Sequence, residues 1–318
     1  METGNIPFRL KSLRERRNIN QDMLAEQLGL KDRQSLSDIE LGERKLTADE
    51  MVRAASFFGV AIDYFTDPFE LAGEGKFSWR QKNVISAELD AFELKAGRWI
   101  AAFRHLSRLR GELVNSAERR VGLTKHSSYE DAQAEGESIS RALKLGAVPA
   151  LRLLPALETE LDTLVLHVDA IRGVSGAACQ LLQLNCILIN RRESQGRRNF
   201  DAAHEFFHLL TWSNDGMRPE RIEASSLSEV TDKRTKRVEE LAENFAAALL
   251  MPAAELRSYL QSHPLPEECA VSAWLMPLAE QFKVSRTAIM WRLVAIGHLS
   301  KAAAERIRDT GSLNNAGA

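Results

Sequence analysis

At 318 residues the chain is long enough for two or three domains with real cores, and its formal net charge of −2 gives no bulk bias toward nucleic acid or membrane. Three cysteines (Cys179, Cys186 and Cys269) without C-x-x-C spacing exclude a disulfide framework and a Cys-based zinc site. The first residues carry no basic–apolar–small signal pattern and no apolar run approaches the ~18 residues that span a bilayer, so a cytoplasmic protein without membrane contact is expected.

The first seventy residues read as about five short helices. Phe8, Leu10 and Leu13 begin one amphipathic turn. Asn20 caps a second helix that Gly29 ends, and residues 31–41, with Leu36 and Ile39 inward, form a third closed by Gly42. Residues 46–58, capped by Thr47, and residues 62–65 complete the set. A helix, a short Gly-containing turn and a second helix is the layout that places the second helix in the major groove. Residues 7–68 resemble the XRE/Cro-type helix-turn-helix, with Gln21 opening helix two and Leu36-Ser37-Asp38-Ile39-Glu40-Leu41-Gly42 ending helix three. The resemblance implies operator DNA as a partner. Lys31, Arg33, Gln34, Ser35 and Ser37 would face the bases, and Gln21, Arg44 and Lys45 the phosphates.

Charge opposes tight DNA binding. Residues 1–68 hold ten Lys/Arg against twelve Asp/Glu, and Asp32, Asp38, Glu40 and Glu43 around helix three would repel phosphates. The positive charge gathers instead at Arg9, Lys11, Arg14, Arg16 and Arg17. A protein-interaction or dimerisation role for this fold is the alternative.

Residues 71–138 read as a helical connector. Gly73-Glu74-Gly75 looks like a hinge, and residues 79–123 are mostly helical, with Trp99, Ile100, Phe103, Leu106 and Leu109 on one face and Arg104, Arg108, Arg110, Arg119 and Arg120 making it basic. A packed spacer, a dimerisation helix and a second phosphate contact all fit. Residues 125–137 are polar and loop-like, and residues 143–158 resume as a helix interrupted by Pro149 and Pro155.

Strand signals at residues 163–168, 177–182 and 185–189 suggest a small sheet, whose edge could bind an extended substrate. His204-Glu205-Phe206-Phe207-His208 follows on a helix marked by Phe200, Ala203, Phe207 and Leu210. Residues four apart share a helix face, so both imidazoles can hold one zinc ion, with Glu205 placed to accept a proton from water. The bland alternative makes both histidines polar residues of a surface helix.

Two histidines need a third ligand. Residues 238–252 form an Ala/Leu-rich helix ended by Pro252, with Ala242, Phe245 and Leu249 inward and Glu239 and Glu243 on one face. Glu239 is the candidate ligand, and Glu243 a candidate partner that fixes the tautomer of a ligand His. A solvated acidic face is the alternative for these residues, and the expectation for Glu240.

Taken together, Cys186-Ile187-Leu188-Ile189-Asn190, then Arg198-Asn199-Phe200-Asp201-Ala202-Ala203 leading into the histidine motif, then Glu239-Glu240-Leu241-Ala242 and Phe245-Ala246-Ala247-Ala248-Leu249-Leu250-Met251-Pro252 resemble the ImmA/IrrE family of metallo-endopeptidases. Four pieces fall in order over residues 140–300. The resemblance implies a gluzincin-like site, with Zn2+ on His204, His208 and Glu239 and with Glu205 as the catalytic base. Where this chain has Glu243, family members often have Asn or Asp. It also implies a protein substrate, typically a helix-turn-helix repressor, in a stress-response, mobile-element or toxin–antitoxin setting.

The expected architecture is therefore mainly α: a helix-turn-helix domain at 1–70, a connector at 71–138, an α+β metallopeptidase domain at 139–306 and a disordered tail at 307–318. Residues 274–282, 284–286 and 287–296 look like a second small helix-turn-helix-like unit within the peptidase domain. The expected function is transcriptional regulation coupled to zinc-dependent cleavage of a regulator or of the chain itself, by a homodimer. The competing function is a non-catalytic repressor or antitoxin whose zinc domain senses a ligand or partner. His167, His263 and His298 qualify as oxyanion stabilisers by residue type alone, and none is selected.

Overall fold

A computed structural model describes residues 6–73, 75–81, 84–111, 119–181, 184–214, 217 and 233–310. It divides into two compact units, one formed up to Lys76 together with Asp90–Val114, the other by Phe77–Leu89 and the chain from Asn115 onward. Helices dominate, as expected for a mainly α chain.

In the first unit α1 (Ile6–Arg16), α2 (Gln21–Leu28), α3 (Arg33–Leu41), α4 (Ala48–Phe58) and α5 (Asp63–Thr66) enclose Leu10, Leu24, Leu28, Leu36, Ile39 and Phe65. The caps fix the boundaries. Asn20 accepts from the Met23 N–H, Asp32 from the Ser35 N–H, and Thr47 forms a capping box with Glu50. Gly29 and Gly42 end α2 and α3 in the left-handed region, at φ 70° and 81°. Asp32 is thus the N-cap, and the third helix begins at Arg33, two residues later than its expected start.

Two corrections concern charge. Arg9 is buried, and its guanidinium donates to the carbonyls of Tyr64, Asp67 and Glu70 at 2.9, 2.9 and 2.6 Å. Arg14 donates from Nε and Nη2 to the two carboxylate oxygens of buried Glu40 at 2.6 and 2.9 Å. Neither arginine is part of a basic surface, and Glu40 does not face phosphates. Charge counted along a sequence includes side chains that neutralise one another inside.

The connector is only partly helical. β1 (Lys76–Gln81) replaces the expected helix at Trp79, and α6 (Ser86–Leu109) follows. Ile100 is buried, while Phe103, Leu106 and Leu109 are exposed. Residues 112–118 and Glu74 of the expected hinge lie outside the described residues. Residues 129–137, expected as loop, belong to α7 (Tyr129–Ala142), whose Ser128–Asp131 capping box outweighs its polarity. The expected domain boundary at 138/139 falls inside this helix. Residues 143–148 are not helical. A 3-10 turn at Pro149–Leu151 and α8 (Leu153–Glu160) succeed them, so the prolines start elements rather than interrupt one.

β2 (Thr163–Val168), β3 (Val174–Gln180) and β4 (Asn185–Asn190) join β1 in one sheet of order β1-β3-β4-β2. β4 pairs parallel with β2 (Thr163 opposite Asn185) and antiparallel with β3 (Gly176 opposite Ile189). Alternate residues Ala178, Ile187 and Ile189 share a core with Phe206, Phe207 and Phe245, which seats α9 (Gln195–Thr211) under β3 and β4. α10 (Lys233–Leu250) packs against α9 on one side and α7 on the other. The α7–α10 approach needs Gly136: a Cβ there would lie 2.5 Å from the Phe245 carbonyl oxygen.

α11 (Ala253–Ser262), α12 (Glu268–Phe282), α13 (Arg286–Ala295) and α14 (Lys301–Asp309) complete the second unit. α12 and α13 are the expected helix pair, joined through Lys283 at φ 56°. Buried Arg292 of α13 donates to the carbonyl of Met251 at 3.0 Å and to Gln133 of α7 at 2.7 Å, tying the end of α10 to α7. Residues 307–309 of the expected disordered tail are helical, and 311–318 lie outside the described residues.

Candidate metal centre

α9 carries the histidine motif and is buried from Asp201 to Thr211. Its start is fixed against the α12–α13 turn, where Asn199 donates to the Lys283 carbonyl at 2.7 Å. A Cβ on Gly196 would lie 2.7 Å from the Val284 carbonyl carbon, so the close approach requires glycine there. Phe206 and Phe207 hold the helix against Phe245 of α10, with ring centroids 6.4 and 5.4 Å apart. Apolar packing alone therefore sets the two helices in register.

Three side-chain atoms converge from these helices. His204 Nε2 lies 3.0 Å from Glu239 Oε2, His208 Nε2 lies 3.1 Å from His204 Nε2, and His208 Nε2 lies 3.4 Å from Glu239 Oε1. All three residues are buried, and among the described residues they form a group able to hold a metal ion. Bonds of about 2.0 Å in a tetrahedron separate ligand atoms by about 3.3 Å, close to these three separations. Protons alone fit poorly: two imidazole nitrogens and a carboxylate oxygen this close set one lone pair against another. A divalent cation satisfies all three, so these residues fit zinc. Cys186 is no competitor, since complete burial pushes its thiol far up and keeps it neutral.

Glu205 is buried beside β3, where a Cβ on Gly176 would come within 3.4 Å of its Cγ and 3.5 Å of its Oε1. The absence of a side chain at Gly176 leaves the carboxylate its room. Glu243 stands one turn beyond Glu239 on α10 and is half-buried. Glu240, expected in solvent, is half-buried and accepts a hydrogen bond from Tyr129, whose hydroxyl pKa that carboxylate raises. Arg237 lies over the Tyr129 ring, 4.0 Å from its centroid. These contacts fix the α10 turn that carries Glu239. His167, His263 and His298 are all exposed.

On α3 and its flanks Lys31, Arg33, Gln34 and Lys45 are exposed, and Ser35 and Ser37 are partly so. Several of these side chains already have partners. Gln21 donates to Glu40 at 2.9 Å and accepts from Arg33 Nε at 3.0 Å, Gln34 donates to Asp38 at 2.8 Å, and Arg44 pairs with Glu50 at 2.6 Å.

The sequence reading missed the Arg292 bracket, Gly136 and β1. A capping box was visible at Ser128 and Asp131, but the packing role of Gly136 and the partner of β1 have no local signature.

Comparison with known families found two matches. Residues 10–65 match a helix-turn-helix family, and residues 166–294 match the peptidase family described as the IrrE N-terminal-like domain. The chain thus joins an XRE-type helix-turn-helix domain to an IrrE-like peptidase-family domain. No curated protein matches it.

Proposed function

We propose that this protein is a DNA-binding transcriptional regulator with zinc-dependent endopeptidase activity, which cleaves a regulatory protein, either another repressor or itself. The observation that carries the reading is the meeting of His204, His208 and Glu239, with all three ligand atoms within 4.8 Å of one another and Glu205 buried alongside. No helix among the described residues is long and apolar enough to cross a membrane, which fits action on a regulator beside DNA.

His204, His208 and Glu239 would hold zinc. Zinc there would supply Lewis-acid polarisation of the scissile carbonyl and a water that ionises near pH 7. Glu205 accepts the proton of the attacking water at its carboxylate and passes it to the leaving amine. The apolar packing around α9 keeps other water from that carboxylate, and Glu243, one turn beyond Glu239, would have to turn toward an imidazole Nδ1 to orient it. In the first unit exposed Lys31, Arg33, Gln34 and Lys45 are the first candidates for DNA contact, with Ser35 and Ser37 beside them, and Arg33 and Gln34 would exchange their partners Gln21 and Asp38 for it. A homodimer would present two such helices to an operator.

The test compares metal content and proteolysis of the wild type and Glu205→Gln, using the chain itself and co-purifying regulators as substrates. Metal in both with cleavage only in the wild type supports the proposal. Metal in both with cleavage in neither supports a zinc domain that senses a ligand or partner.

A further inference from the structure

Glu205 lies beside β3, at Gly176. β3 has two neighbours in its sheet: β4, paired antiparallel from Gly176 to Gln180, and β1 on the opposite side. α9 packs against β3 and β4 and its Glu205 meets β3 at Gly176, so β3 is the strand beside the candidate site and its second edge is the β1 side. An extended peptide presented to Glu205 would find its main-chain partners along that same edge. The edge is already taken. Lys76–Gln81 of this chain is hydrogen-bonded there, about a hundred residues before β3 in sequence.

β1 also stands apart from β3 and β4 in the family matches. It lies outside both matched ranges, 10–65 and 166–294, whereas β3 and β4 lie inside the second. Its Ser78 and Trp79 are buried, and the rings of Phe77 and Trp79 stack at 5.3 Å with 8° between planes. These side chains anchor a strand whose main chain supplies the pairing.

Resting on the peptidase reading above, we infer that β1 is an internal occupant of the peptide-docking edge, and that an extended protein substrate pairs with β3 only after β1 has left. A tethered strand competes at an effective concentration on the order of millimolar, so it excludes weakly binding peptides and admits only a segment that pairs better or binds elsewhere as well. The occupant thus acts as a selectivity filter for the site. It explains how a peptidase domain can share a chain with a second domain without cutting every extended peptide it meets.

The experiment uses full-length protein in a Glu205→Gln background, so that binding is read without hydrolysis. The probe is a fluorescein-labelled peptide with the sequence of residues 75–82. Ser78→Pro weakens β1 by constraining its backbone in mid-strand. Hydrogen exchange at Val174–Gln180 should rise at least tenfold in this variant with α9 unchanged, and the peptide should bind at least tenfold more tightly than to the parent and restore protection of β3. Equal exchange at β3 in both proteins, or an unprotected β3 that takes no peptide, overturns the inference. If α9 loses protection as well, Phe77→Gly, which loosens the anchor and keeps every donor, is measured by the same criteria. The two readings fail separately. Peptide capture by the variant, with no cleavage when Glu205 is intact and zinc is supplied, upholds the occupant and sinks the peptidase. Cleavage by the wild type that Ser78→Pro does not accelerate sinks the occupant alone.

Discussion

His204 Nε2 stands 3.0 Å from Glu239 Oε2 across a sequence separation of 35 residues. The contact belongs to the α9–α10 packing, because Phe206 and Phe207 meet Phe245 one and two turns away from it. Helix packing brings the histidine pair and the carboxylate together, and the candidate ligand set follows.

Removing Glu239 should therefore remove the metal. Glu239→Gln is expected to weaken zinc binding by more than the roughly 10–100-fold that supporting partners of a ligand contribute. Glu205→Gln should keep zinc at one per chain and lower turnover by about 100–10,000-fold, the range of a general base. Metal analysis beside a peptidase assay separates the two, and a Glu239→Gln protein that still binds one zinc tightly would reject the ligand assignment.

Gly136 offers a test of coupling between packing and site. In Gly136→Ala the new methyl meets the Phe245 carbonyl oxygen at 2.5 Å, so α10 must shift or the interface open. Overpacking of this kind costs about 1–3 kcal/mol. The melting temperature should fall by several degrees and zinc affinity should fall with it. An unchanged affinity would mean that α10 moves without carrying Glu239.

The Arg14–Glu40 pair predicts an asymmetry. Glu40→Gln strands a buried guanidinium and is expected to destabilise the helix-turn-helix unit by about 3–5 kcal/mol, whereas Arg14→Met with Glu40→Leu should be close to neutral. Chemical denaturation followed by signals from this unit checks both. Equal losses in the two variants would show that packing around the pair, not its charge, is what matters.

Acid should loosen the start of α7. Hydrogen bonds from Ser128, first from its backbone N–H and then from its hydroxyl, hold the Asp131 carboxyl below its ordinary value of 3.8. A carboxyl whose pKa is lower in the folded state stabilises the fold above its unfolded pKa, and the contribution disappears as pH falls through the folded one. Protonation of this cap is thus expected below 3.8, with Asp131→Asn losing that part of the acid dependence. Carboxyl NMR titration reads it directly, and an Asp131 that titrates at or above the ordinary value would contradict the capping box.

DNA binding separates base from phosphate contacts. Arg33→Ala is expected to cost about 1–3 kcal/mol and to relax specificity at one position, and Lys45→Ala to weaken all sequences alike and reduce the salt slope by about one. Titrations at several salt concentrations distinguish them. A uniform loss from both would place Arg33 on the phosphates.

Much of this could be read from residues alone, where the signal is local. Asn20, Thr47, Gly29 and Gly42 mark helix ends by chemistry confined to one turn. The spacing of His204 and His208 declares a shared helix face, and Glu239 was recoverable because a carboxylate on an otherwise apolar helix needs a reason. Charge misled at Arg9, Arg14 and Glu40, since burial and pairing are tertiary facts. Polarity misled at residues 129–137, where a glycine in mid-helix weakens the helical signal and its close approach to α10 has no trace in the local pattern. β1 overlaps the start of a stretch that reads as mostly helical from Trp79 onward, and its partner strand lies about a hundred residues away.

The continuous apolar core around α9 and α10 has a consequence for how the proposed metal site would be filled. Phe206, Phe207, Phe245 and Leu249 close the interior without help from a metal, unlike small zinc modules whose fold collapses under a chelator. The empty form should therefore remain native and reloadable. Metal supply would then control the proposed cleavage without touching the separate apolar core of the helix-turn-helix unit.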